Sequence, residues 1–137
     1  TDVQFTKQLS PNSSFWANLG FTWIASESSN ATPTFYVSSH ARYLTNFNLQ
    51  YSHKLFSIIL NGLYKMRRGQ TGSSPLIAKV STDYFVLNAK GEVVLVQQKL
   101  RAFVEVDNLA NRNFTDLLGA QMPGRWFMGG FKISLSK

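Results

Sequence analysis

The stretch YLTNFNLQYSHKLFSIILNGLYKM, residues 43–66, decides how the whole chain is read. Tyr43, Thr45, Phe47, Leu49 and Tyr51 alternate with Asn46, Asn48, Gln50 and Ser52. After the short turn His53-Lys54, the set Phe56, Ile58, Leu60, Gly62, Tyr64 and Met66 alternates with Ser57, Asn61, Lys65 and Arg67. A period of two is the signature of a strand, whose successive side chains point to opposite faces. Two such runs across a short turn make an antiparallel hairpin. Outward from it the pattern repeats. Phe15, Ala17, Leu19, Phe21 and Trp23 precede it, and Val3, Phe5 and Leu9 give a weaker opening strand interrupted by Lys7. Phe85, Leu87, Ala89, Val93 and Leu95 follow, then Leu100, Ala102, Val104 and Val106, then Phe127, Phe131, Ile133 and Leu135. The expectation is all-β: seven antiparallel strands of about 8 to 13 residues, with no helical pattern between them.

Such strands are long. Soluble strands average about 5–6 residues, whereas one crossing a bilayer at a tilt near 45° needs about 9–11. The connections also alternate. Ser10-Pro11-Asn12-Ser13, His53-Lys54 and Gln97-Gln98-Lys99 are short, while 27–39, 69–83 and 109–124 are long and rich in Gly, Ser, Asn and Pro. Short turns at one end and long loops at the other describe an outer-membrane β-barrel with periplasmic turns and extracellular loops. On that reading the chain starts outside, runs inward first and ends in the periplasm. Phe15 and Trp23, Tyr43 and Tyr51, and Phe56 and Tyr64 are each eight residues apart on the apolar face. At ~3.3 Å per residue and a tilt near 40° that spacing spans roughly 20 Å, close to the ~25 Å between aromatic girdles. Seven strands cannot close, because single-chain bacterial barrels have even strand numbers from eight upward. The chain therefore reads as an incomplete barrel.

Composition narrows the classes. The 137 residues suit one domain, and 14 Lys+Arg against 7 Asp+Glu give a net charge of +7. Only 15% of residues are charged, against about 25% in an ordinary soluble domain. No stretch approaches the roughly 18 apolar residues of a membrane helix. With no cysteine there is neither a disulfide framework nor a thiolate site. Thr1-Asp2-Val3-Gln4-Phe5 carries no signal-peptide pattern and no Met start, which suggests a mature or cut piece. The polar face is rich in Asn, Gln and Ser rather than Lys and Glu, which suits a wet lumen better than bulk solvent.

Catalytic patterns are scarce. His40 and His53 stand at opposite ends of one strand, about 40 Å apart at ~3.3 Å per residue, too far to share a metal. Glu105 and Asp107 are a possible carboxylate pair, but with Arg101 on the same face they read as a charge network. No nucleophile elbow, phosphate loop or metal-ligand spacing occurs, so the chain is expected to be no enzyme and to hold no metal or cofactor. Lys65, Arg67 and Arg68 form the only dense basic cluster. It is expected at the outer rim, facing lipopolysaccharide phosphates or an anionic ligand, and not nucleic acid. Ligand contacts are expected from the long loops and the lumen rim: Tyr36, His40, Arg67, Arg68, Gln121 and Arg125.

The last third carries a specific pattern. Val106-x-Asn108-Leu109-x-Asn111-x-x-Phe114 is followed by Asp116-Leu117-Leu118-Gly119 and then Met122-Pro123-Gly124-Arg125-Trp126. This resembles the C-terminal end of TonB-dependent outer-membrane receptors, in which a penultimate strand ends in Val-x-Asn-Leu-x-Asn-x-x-Tyr and a Pro-Gly-Arg turn leads into the last strand. Phe114 stands where Tyr is usual, and the chain does not close on the family's usual terminal aromatic. The resemblance covers essentially the whole chain and implies the last seven strands of a 22-stranded barrel, with no plug in these residues. It gives Asn108, Leu109, Asn111, Pro123, Gly124 and Arg125 structural roles in the motif. It further implies import of a corrinoid such as vitamin B12, to which the 116–126 loop looks most similar, or of an iron siderophore, energised by TonB in a Gram-negative outer membrane. Implied partners are the remaining strands and plug, the inner-membrane TonB complex, outer-membrane lipid and a surface lipoprotein. A plugless passive barrel and a secreted soluble β-sandwich binding module are the alternatives.

Overall fold

The computed structural model describes residues 1–25, 41–67, 80–96, 99–116 and 119–134. Each alternating run is a strand: β1 (Asp2–Ser10), β2 (Ser13–Trp23), β3 (Ala41–His53), β4 (Phe56–Arg67), β5 (Asp83–Val96), β6 (Leu100–Asp107) and β7 (Trp126–Ile133). They form one antiparallel sheet in chain order, and no helix occurs among the described residues. Lys7 does not interrupt β1. It lies exposed opposite Phe15, so the ladder continues through the backbone with no charge to bury. The sheet is not closed, and β1 and β7 stand at the two ends of the row.

A strict meander puts its connections alternately at opposite ends. The strand ends Ser10/Ser13, His53/Phe56 and Val96/Leu100 lie at one end of the sheet, and Trp23/Ala41, Arg67/Asp83 and Asp107/Trp126 at the other. At the short end, Lys54 N–H donates to the Asn12 carbonyl at 3.0 Å, tying two turns together. Bulges fall where strands meet turns, between Gln8 and Ser10 and between Val94 and Val96. There an extra residue bends the strand without shifting the register of the middle.

That register separates two faces. One carries Phe5, Leu19, Phe47, Ile58, Leu87, Val104 and Phe131 with their alternating neighbours. None of these is covered: Leu19 is 50% exposed, Val104 58% and Phe131 69%. Among the described residues only Ala41 and Tyr84 are buried apolar side chains, so this sheet has no core of its own. Packing on this face runs sideways within the sheet, between neighbouring strands or, for Phe47 and Phe85, across Gly62 of the strand between them. Phe21 stacks on Tyr43 at 6.2 Å, Phe47 on Phe85 at 6.3 Å, and Tyr51 meets Phe56 at 5.8 Å. Gly62 belongs to this face, and the Phe47 ring fills the space that a Cβ there would occupy. This is how a bulky cross-strand neighbour compensates a glycine in a sheet.

The other face is polar and organised across the strands. Gln4 pairs with Asn18, Asn18 with Asn48, Asn48 with Asn61 and Asn61 with Asn88. One row of side-chain amides thus crosses five strands at a single height. Toward the short-turn end the face becomes charged. Lys90 binds Glu105 at 2.7 Å and Lys132 binds Glu92, with Phe103 between the two ammonium groups, 5.0 and 5.7 Å from its ring. The expected network is corrected here: Glu105 is neutralised by Lys90, and neither Arg101 nor Asp107 forms an ion pair among the described residues. Cross-strand register puts Lys90 directly opposite Glu105, a closer approach than two positions along one strand.

Candidate functional site

The segment after β6 folds back over the polar face. Asn108 starts it in the left-handed region with φ 51°, and Asn111 repeats that conformation at φ 51°. Asparagine tolerates this backbone better than most residues because its short amide bonds locally. Asn108 is 4% exposed and works as a staple. Its Nδ2 donates to the carbonyls of Arg112 at 2.8 Å and Pro123 at 3.2 Å, and its Oδ1 accepts from the Arg112 N–H at 2.9 Å. Its own N–H donates to Asn88 Oδ1 at 2.9 Å, linking the staple to the end of the amide row. Asn111 Oδ1 accepts from the Arg125 N–H at 2.8 Å. The two ends of the segment are thereby held together in the manner of a compact Ω-loop.

Beyond the staple the two limbs run as a narrow hairpin. Met122 N–H donates to the Phe114 carbonyl at 2.9 Å, Thr115 bridges Gln121, and Asp116 N–H donates to the Ala120 carbonyl at 3.2 Å. The far end is fastened to the sheet. Phe114 stacks on Tyr84 with ring centroids 4.2 Å apart. Thr115 N–H donates to Ser81 Oγ at 2.9 Å, and Ser81 N–H to the Thr115 carbonyl at 3.1 Å.

Asp116 is the main fastening. Its Oδ1 accepts from Lys65 Nζ at 3.1 Å and from Arg67 Nη2, and its Oδ2 accepts from the Tyr84 hydroxyl at 2.8 Å. Arg67 is 2% exposed. It also donates to the Ser81 carbonyl at 2.8 Å, and its guanidinium lies 5.5 Å from the Tyr84 ring. Burial by itself would raise the Asp116 pKa. The hydrogen bonds from Tyr84 and Lys65 and the charges of Arg67 and Lys65 outweigh it, and hold the carboxyl below its ordinary value.

Between this hairpin and the sheet lies a hollow of ≈ 370 Å³, bordered by Asn48, Asn61, Tyr84, Asn88, Phe114 and Met122. It mixes amides with aromatic and aliphatic surface, the character of a small-ligand site. Nothing in it points to bond-making chemistry, and among the described residues no three His, Cys, Asp or Glu side chains gather to hold a metal.

The expected ligand residues fare differently. Tyr36, His40 and Arg68 lie outside the described residues. Arg67 is committed to Asp116, Ser81 and Tyr84. Gln121 and Arg125 are exposed on the folded-back segment, Gln121 in its bridge to Thr115 and Arg125 held through its backbone. Of the motif residues, Asn108 and Asn111 form the staple, Pro123 supplies a carbonyl to it, Gly124 abuts Asn111 Oδ1, and Leu109 is anchored by its N–H to the Leu87 carbonyl at 2.7 Å. Sequence reasoning missed Tyr84, Asp116 and the amide row. Asn18, Asn48, Asn61 and Asn88 stand on the polar side of their runs, but only the inter-strand register aligns them. Set against family models, curated proteins and solved structures, the chain matches none.

Proposed function

We propose that this chain is a stretch of wall from an outer-membrane active transporter: the last seven strands of a 22-stranded TonB-dependent receptor that binds and imports a corrinoid or an iron siderophore. The observation that carries the reading is an inversion. The chain folds its described loop segment over the polar face and leaves the apolar face bare. Six inter-strand steps of ~4.8 Å by about eight residues of ~3.3 Å make a face of about 750 Å² in plan. Monomeric soluble proteins seldom expose apolar patches above roughly 300–600 Å². At ~25 cal/mol per Å², keeping that face in water forgoes on the order of 19 kcal/mol, more than the ~5–15 kcal/mol of net stability of a whole domain.

Lipid removes the conflict, because hydrocarbon covers the apolar face while the amide row and the folded-back segment face a wet lumen. The free edges of β1 and β7 fit the same reading, since an open edge in lipid leaves backbone groups unpaired at several kcal/mol each and calls for further strands on both sides. The chain then supplies wall, lumen lining and outer loops, while the plug and the TonB contact belong to other parts of the receptor. It carries out no reaction of its own.

The test is circular dichroism and solubility of the chain in plain buffer, in detergent micelles, and in micelles together with the strands that would complete the barrel. Aggregation in buffer with β-structure in either micellar sample is the expected result. Monodisperse, cooperatively unfolding β-structure in buffer would replace the transporter with a soluble sandwich module.

A further inference from the structure

Lys65 and Arg67 already hold an anion, and it is the chain's own. Three donors from two neighbouring strands, Lys65 Nζ, Arg67 Nη2 and the Tyr84 hydroxyl, converge on both oxygens of Asp116. Convergent charged donors around one carboxylate are the recognition set for any anionic oxygen group. Their placement is not that of a plain surface ion pair. The cluster adjoins the ≈ 370 Å³ hollow, which Asp116 and Tyr84 themselves border, and the side chains of Asn46, Asn48 and Asn61 along that hollow form no hydrogen bond to a described residue. A built anion site and an unused row of neutral donors and acceptors therefore lie side by side, both beneath the arm that carries Asp116.

We propose that Asp116 is an exchangeable internal carboxylate, and that Lys65, Arg67 and the Tyr84 hydroxyl form a subsite for a carboxylate-type anionic oxygen of an incoming ligand. The inference rests on the reading that the polar face lines the ligand's path. Exchange suits Arg67, because a buried cation stripped of its counter-charge is strongly destabilising. Swapping one carboxylate for another keeps the charge count of the site unchanged. Departure of Asp116 removes the charged fastening and leaves the 112–116 arm on the Phe114–Tyr84 stack and the Ser81–Thr115 hydrogen bonds, a weaker hold whose opening uncovers the amides of Asn48 and Asn61. Anion recognition and exposure of the neutral row are then a single event.

The test uses the 137-residue chain in whichever micellar form gives β-structure. Met122→Cys, on the rim of the hollow, supplies the sole thiol in a chain that has no cysteine. Maleimide labelling of that thiol is followed with citrate as the anionic probe and with sodium chloride at matched ionic strength. Citrate is expected to speed labelling severalfold and saturably, beyond chloride. Asp116→Asn is expected to speed it without citrate, and Lys65→Met to abolish the citrate response. Labelling that citrate raises no more than matched chloride would overturn the subsite, as would an Asp116→Asn protein as well protected as the parent. Circular dichroism of each sample separates the two levels: loss of β-structure in every micellar form sinks the barrel-wall reading itself, whereas retained β-structure with unresponsive labelling sinks only the exchange at Asp116.

Discussion

The two faces of the sheet are built from the same strands, yet the chain treats them in opposite ways. On the apolar face, side chains meet only their neighbours in the sheet, as with Phe47 over Gly62 and Phe21 on Tyr43. On the polar face, a segment from the far end of the chain is stapled at Asn108 and pinned at Asp116. A fold stabilised by water would cover the first face and wet the second. No described residue covers the apolar side, and on the proposed reading lipid supplies that cover.

Changing one residue on each face tests this comparison most sharply. Leu19 lies midway between Phe15 and Trp23, at mid-height of the apolar face on β2. In micelles, Leu19→Arg is expected to cost about 2–4 kcal/mol, the penalty for a cation at mid-depth on a lipid face, whereas Asn61→Ser on the polar face stays within about 0.5 kcal/mol. Equal effects in urea unfolding would erase the distinction between the faces.

Next in size is the staple. Asn108→Ala orphans two carbonyls and one N–H and places alanine at a positive φ, for an expected loss of about 2–3 kcal/mol. Asn108→Gly keeps the backbone conformation and loses only the amide bonds, so it should cost less. Hydrogen exchange at Arg112 and Leu109 reads both, and protection unchanged in the alanine variant would mean that the segment is held elsewhere.

On the apolar side, Gly62→Ala pushes a methyl group into the Phe47 ring and is expected to cost about 1–3 kcal/mol by overpacking. Pairing it with Phe47→Leu should recover part of that loss in a double-mutant cycle. Strictly additive costs would show that the two residues do not pack as described.

The smallest expected effect is that of pH on the tip. The Asp116 pKa is lowered by its donors Tyr84 and Lys65 and by the charge of Arg67. Its contribution is therefore complete above the unfolded value near ~3.9 and fades as pH falls through the lowered folded value. Limited proteolysis of residues 109–125 should accelerate below about pH 4 in the parent chain, with Asp116→Asn already fast and flat across that range. A parent whose cleavage rate ignores acid would remove Asp116 as the fastening.

Much of this architecture was legible in advance for a simple reason. A sheet with one apolar face repeats its pattern every two residues, and each strand declares itself from its own composition. The charge network was misread because Glu105, Asp107 and Arg101 are close in sequence, whereas the partner of Glu105 is Lys90, across a hairpin. Arg67 was marked as a ligand contact from a basic cluster at a strand end, and that cluster by itself gives no sign of the internal counter-charge it meets. That counter-charge stands 49 residues further along.

By itself, the sequence determined the strands, their alternation and the end at which the long connections lie, because those are settled by residues within a few positions of one another. Only the tertiary structure decided that four asparagines from four strands share one height, that Asp116 meets Lys65, Arg67 and Tyr84, and that the folded-back segment lies on the polar rather than the apolar face. Those outcomes depend on inter-strand register and on where a long connection comes to rest. Both are set by pairing over tens of residues, which no local pattern encodes.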